Sequence, residues 1–248
     1  MHENLSTGHV IILGCGRSGT SIFGELFEQL PAYTYLSEPP FEDLKTHSFD
    51  TPTTIKVPKE SPGFPPTPGL SFPLTELLAI VPDPKKIFWQ VRHPLDTICS
   101  LRIGISKDWG HHPKPPDWQD WLSRPLLERC AHHWNYINSI GYDQVKDLAT
   151  VTRFEMMVSD PEQFAAVVCQ QIGLAPELYA EQLTAWANRV QNTNNENFVE
   201  AKTSRPYSRK DHSVRIGRWK ENLSQGEIEP IMPIIRETSL KLGYPLAL

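Results

Sequence analysis

The chain has 248 residues, of which 39% are hydrophobic and 21% charged, a balance that suits a folded α/β-sized core and excludes a fibrous or disordered chain. Its formal net charge of −5 argues against nucleic-acid and membrane partners, because a broad phosphate-neutralising surface must be basic, so any anion site has to be local. Cys15, Cys99, Cys130 and Cys169 show neither metal-ligand spacing nor disulfide-scaffold density, and the short polar start leaves no room for a signal peptide, which points to a cytoplasmic protein with reduced thiols.

Residues 9–13 form a β-branched run that predicts a strand ending in a glycine-rich turn. Ile22, Phe23, Leu26 and Leu30 then mark one face of a helix over 20–30. Residues 39–73 are dense in Pro, Ser and Thr, so a long irregular excursion is expected there, with a strand only at 53–57. A helix at 74–80 and a buried strand at 86–91, carrying Ile87, Phe88, Trp89 and Val91, come next. Pro94 suits the first position of a helix that continues through Leu95, Ile98, Cys99 and Arg102.

Residues 104–125 are rich in Pro, Trp and His and read as a surface loop that could shape a ligand site. Leu127, Cys130, Ala131, Trp134 and Ile137 predict a helix, 150–154 a strand, and Asp160-Pro161 the capped start of another helix. A helix at 176–190, a polar tract at 191–211 with little means of packing by itself, and a helix at 227–242 ending at Gly243 complete the chain. There is no internal repeat. The alternation of strands and helices predicts an α/β fold: a single domain over residues 1–248 with a central parallel sheet flanked by helices.

Gly14-Cys15-Gly16-Arg17-Ser18-Gly19-Thr20-Ser21 leaves a buried strand and opens a helix. In that context backbone N–H groups and the helix N-terminus face an anion. A nucleotide-triphosphate P-loop carries a lysine just before its hydroxyl residue, and here Thr20 stands in that place, with the cation, Arg17, inside the loop. Such a loop suits an anion that needs no Mg²⁺ bridge. Arg92-His93-Pro94-Leu95-Asp96-Thr97-Ile98-Cys99-Ser100 repeats the strand-to-helix context, with a planar donor fork at Arg92 and a neutral donor at Ser100.

These residues carry a family resemblance. The loop through Gly16, Arg17, Ser18, Gly19, Thr20 and Ser21 resembles the 5′-phosphosulfate loop of sulfotransferases that use 3′-phosphoadenosine 5′-phosphosulfate (PAPS), and Arg92 with Ser100 resembles their 3′-phosphate motif. Phe154-Glu155 is similar to a strand-end segment whose aromatic packs near adenine, and Gly217-Arg218-Trp219-Lys220 to the C-terminal signature. The resemblance implies a P-loop-NTPase-like fold and transfer of a sulfonate group to a hydroxyl or amine, leaving adenosine 3′,5′-bisphosphate (PAP), with no metal. It also places Arg215, Ile216 and Gly217 at the 3′-phosphate.

Departures from the family decide how much of its mechanism carries over. The cytosolic branch has a Lys-Thr-His segment with a histidine base; the matching stretch here retains Lys56 and has Pro58 where the histidine stands. Ser37-Glu38-Pro39 resembles the glutamate segment of the carbohydrate and tyrosylprotein branch, making Glu38 the candidate base, with Arg17 and Lys56 stabilising charge at the reacting centre. The tract 205–218 could close over nucleotide as a lid. His111-His112 and His132-His133 lack the carboxylate or cysteine spacing of a metal site, and Trp109, Trp118 and Trp121 either line an acceptor pocket or anchor their loop. The acceptor could be a small molecule, a glycan or a peptide. A kinase with a degenerate P-loop and a non-catalytic nucleotide-binding module are the competing readings.

Overall fold

The computed structural model describes residues 8–106, 109–192 and 216–246. Five strands, β1 (His9–Gly14), β2 (Thr34–Ser37), β3 (Thr53–Lys56), β4 (Lys85–Val91) and β5 (Ala149–Arg153), form one sheet in the order β2-β3-β1-β4-β5. Every pairing is parallel, as expected from the alternation of strands and helices. Strand β1 is central and apolar on both sides: Val10 and Ile12 join one core cluster and Ile11 and Leu13 the other. That split follows from the two-residue period of a strand.

Helices cover both faces. On one face α1 (Thr20–Glu28) packs Phe23, Leu26 and Phe27 with Phe88, and with Phe164 and Trp186 from α8 (Pro161–Gln171) and α9 (Ala180–Asn192). On the other, α4 (Pro94–Ile105), α5 (Leu126–Tyr136) and the helix Met232–Lys241 pack Ile98, Leu101, Cys130, Trp134 and Ile235 around Trp89. The remaining helices are short: α2 (Phe41–Leu44), α3 (Leu74–Ile80), α6 (Tyr142–Val145) and α7 (Phe154–Ser159). Asp160 caps α8 as predicted, accepting from the Gln163 N–H at 3.0 Å.

Three expectations change. Residues 34–37, which carry no strong alternation, form β2, because pairing with β3 supplies the partner that local pattern does not advertise. The excursion over 39–73 contains the one-turn helix α2 beside its expected strand. The predicted helix 227–242 is broken into Gln225–Ile228 and Met232–Lys241, since Pro230 has no N–H to continue the first and Pro233 starts the second. Arg215, most of the polar tract 191–211 and most of the expected lid lie outside the described residues. All four cysteines are free and buried. No described helix is long and apolar enough to cross a membrane.

Because all five strands run the same way, their carboxyl ends share one edge of the sheet. Gly14 ends β1, Glu38 follows β2, Val57 follows β3, Arg92 follows β4 and Phe154 follows β5. Strand β1 leads outward to β2, whereas β4 lies on its other side, so the connections diverge at β1 and open a crevice where its loop emerges.

Candidate active site

The loop at 14–21 turns on Gly19, which takes a left-handed φ of 93° at the N-cap of α1. A Cβ there would also sit 2.4 Å from the Phe154 ring, so glycine is required by both conformation and space. Arg17 adopts a left-handed φ of 70° without that freedom, a strained conformation of the kind held at ligand sites. Ser18 folds back, its hydroxyl donating to the Cys15 carbonyl. Thr20 is buried at the start of α1, while Ser21 is exposed and turns toward β3.

Lys56, fully buried at the end of β3, donates from Nζ to Ser21 Oγ at 3.1 Å and to Glu38 Oε1 at 2.6 Å. Lys59 Nζ lies 3.6 Å from Glu38 Oε2. The two chain segments are locked by a backbone bond from the Glu38 N–H to the Lys56 carbonyl at 2.8 Å. Burial pushes the Glu38 carboxyl upward, but the Lys56 hydrogen bond and charge, with Lys59, outweigh it and hold the group below its ordinary value. Glu38 is therefore an ion-paired carboxylate. Glu38 (φ 52°) and Val57 (φ 37°) both take left-handed backbones, so the strain of Arg17 is shared across the edge.

Arg92 is buried at the end of β4; its guanidinium donates to the Arg17 carbonyl at 3.2 Å and stacks 4.3 Å from the Phe154 ring centroid. Phe154 is itself buried between Arg92 and Gly19, so it underpins the cradle from below. Glu155 accepts from the His93 N–H at 2.8 Å and from the Tyr244 hydroxyl at 2.7 Å, which fixes the turn carrying Arg92. Ser100 is buried on α4.

The C-terminal signature reaches this helix through Asp96, a residue sequence reasoning did not single out. Its fully buried carboxylate accepts from the Gly217 N–H at 2.8 Å and the Trp219 N–H at 2.9 Å, and the Trp219 ring stacks parallel to His93. Ile216 and Gly217 lie in that turn. Arg218 is also held there, near Arg17 and Arg92: desolvation and then Arg218 lower the pKa of Arg17, and burial lowers that of Arg92 against the opposing charge of Asp96. Three guanidinium groups thus converge beside the loop. Arg218 was missed as a site residue because a lone arginine in a charged tract has no local mark of burial.

A cavity of about 370 Å³ opens beside the loop, lined by Gly14, Gly16, Thr20, Glu38, Pro58 and His111 among others. Trp109 is fully buried and donates to His133 Nδ1 at 3.2 Å, so it anchors its loop. No cluster of three metal-ligating side chains occurs among the described residues.

No protein-family model matches the chain, and no curated protein matches it either. Solved structures do. Mouse sulfotransferase SULT7A1 complexed with PAP superposes with a TM-score of 0.57 at 16% identity, over 94% of this chain and 84% of that one. The sulfotransferase domain from the curacin biosynthetic pathway gives 0.55 at 13% identity, over 97% and 99%. The sulfotransferase domain from the Synechococcus PCC 7002 olefin synthase gives 0.55 at 14%, over 96% and 95%. A five-stranded parallel sheet with a glycine loop after its central strand, matched over nearly the whole length of these neighbours, gives the chain the fold of the sulfotransferases.

Proposed function

We propose that this protein transfers a sulfonate group from PAPS to a hydroxyl or amine of an acceptor. The observation that carries this reading is the convergence of Arg17, Arg92 and Arg218 beside a glycine loop in which Thr20 replaces the lysine of a triphosphate site. Guanidinium groups are planar donor forks matched to phosphate oxygens, and three of them gathered beside one loop suit a donor with two separate phosphate positions.

The donor set fits PAPS. Backbone N–H groups of 16–21, with the Thr20 and Ser21 hydroxyls, would hold the 5′-phosphate at the helix N-terminus. Arg92, Ser100 and Arg218, with the Ile216-Gly217 turn, would hold the 3′-phosphate, and Arg215 extends the same charged segment. When bound, the donor supplies an electrophilic sulfur and a phosphate leaving group. Lys56, already aimed at Ser21, and Arg17 stabilise the charge that grows on the bridging oxygen, from fixed positions that cost no reorganisation during reaction. Glu38 holds Lys56 in place, and the family resemblance makes it one candidate for taking the acceptor's proton.

The acceptor is a small molecule, or a sugar or side-chain hydroxyl, presented to the cavity at Pro58, Ser71 and His112. Calorimetry with PAP tests the donor half: the wild type binds, and Arg92→Ala weakens binding by about 30-fold or more, the worth of a charge-assisted pair. Equal affinity in the variant removes the 3′-phosphate assignment. Mass spectrometry for sulfonated products over an acceptor panel tests transfer, and tight PAP binding without any product would favour a non-catalytic nucleotide-binding module.

A further inference from the structure

The cavity has one wall that the reading above leaves without a task. Residues 109–112 follow α4 and are pinned from two sides. Trp109, in a left-handed conformation with φ 48°, is buried and donates from Nε1 to His133 Nδ1. The Gly110 N–H donates to the Gly104 carbonyl at 2.6 Å. Together they direct His111 into a slot between two glycines. A Cβ at Gly104 would lie 2.2 Å from His111 Nε2, and one at Gly16 would lie 3.2 Å from Nδ1. The imidazole fits beside Gly104 only because that residue has no side chain, and it packs closely against Gly16 of the phosphate loop. His111 lines the same cavity as Thr20 and Glu38.

Building on the sulfonate-transfer reading, we propose that His111, rather than Glu38, accepts the proton of the acceptor hydroxyl, through Nδ1 on the Gly16 side. As the acceptor oxygen forms its bond to sulfur, its O–H bond breaks and the proton moves to Nδ1; the bond between sulfur and the bridging oxygen breaks and leaves its electron pair on the phosphate. The imidazolium then returns the proton to solvent.

Charge explains why this base waits for the donor. His111 faces Arg17 from the phosphate loop, Glu38 from the end of β2, His112 beside it, and His133 from α5; His112 is paired with Glu60 at 3.1 Å, and Lys59 and Glu60 line the cavity. Burial first, then Arg17, depresses the imidazole to about 4, while Glu38 pulls weakly the other way. His133 is fully buried, its pKa held far below the usual value by that burial, so it stays neutral. A bound phosphate offsets Arg17 and removes the main repulsion, returning basicity to His111 when there is a donor to react. Glu38 has no such release, since Lys56 at 2.6 Å and Lys59 at 3.6 Å hold it in its weakly basic, ionised form.

The test follows the His111 imidazole by NMR in side-chain-labelled protein, its signal assigned by loss in His111→Gln, with and without saturating PAP. The midpoint should move from about 4 upward by about 1 or more with PAP, the size expected for cancelling one neighbouring charge. Bound PAP with an unmoved or lowered midpoint overturns the proposal while leaving donor binding intact. Failure of PAP to bind removes the sulfonate-transfer reading and this proposal with it. For any acceptor that is sulfonated, His111→Gln should lower kcat about 100-fold with PAP affinity within about 2-fold of wild type, judged against calorimetric scatter; undiminished kcat also overturns it.

Discussion

At the scale of single residues, the site is a set of charges, some buried and some open to solvent, tied together by short, named contacts. Lys56 is the clearest case, a fully buried ammonium whose partners are Glu38 and Ser21. Removing Glu38's charge leaves that ammonium with a neutral partner, so Glu38→Gln should lower thermal stability and reduce turnover about 10-fold, by misplacing Lys56. It should not flatten the pH profile. If Glu38→Gln instead abolishes turnover and removes the acidic limb of kcat against pH, Glu38 is the proton acceptor. Gly19 carries a different constraint. Gly19→Ala drives a Cβ into the Phe154 ring at a φ unsuited to alanine, and a loss of about 2 kcal/mol or more is expected in urea unfolding.

At the scale of elements, α4 organises more than the phosphate motif for which it was first read. Its first turn carries Asp96, which ties down the Gly217–Trp219 backbone, while its last residues supply Gly104 to the slot for His111. One helix therefore connects the proposed 3′-phosphate position, the C-terminal signature and the cavity. Replacing Asp96 with Asn keeps the shape but loses charge from two hydrogen bonds. The expected cost is about 2 kcal/mol, or a drop in Tm of about 4–8 °C for a chain of this size. PAP affinity should fall with it, because Arg218 sits in the released turn; unchanged affinity would place Arg218 outside the donor site. Strand β2 shows the limit of local reading at this scale: residues 34–37 have little alternation, and their identity as a strand comes from the parallel partner at 53–56.

For the whole molecule, buried and half-buried histidines set the acid limit. His9, His93, His111 and His133 all have pKa values lowered chiefly by burial. The unfolded chain binds these protons near pH 6.5 while the folded one resists them, down to about 4 at His111. The unfolded state therefore holds more protons in that window, and stability falls as pH is lowered through it. Urea midpoints measured from pH 7.5 to 4.5 should decline steadily, and a flat profile would contradict the assigned burial. Saturating PAP should steepen protection at pH 7 by binding only the folded chain.

What the sequence determined by itself is what depends on neighbours along the chain: β1 and its glycine turn, the Pro94 and Asp160 helix starts, the parallel α/β class, and the strand-to-helix placing of 14–21 and Arg92 on which the proposed phosphate contacts rest. Alternation, capping and glycine geometry are local, so they are written in order. Glu38 and Lys56 were legible as residues, but their ion pair was not, since 18 positions separate them and only the pairing of β2 with β3 brings them together. Arg218, Asp96 and His111 were decided by tertiary structure alone. Each is placed by contact with a distant segment, and such contacts are a property of the packed sheet and helices that no short window of sequence contains.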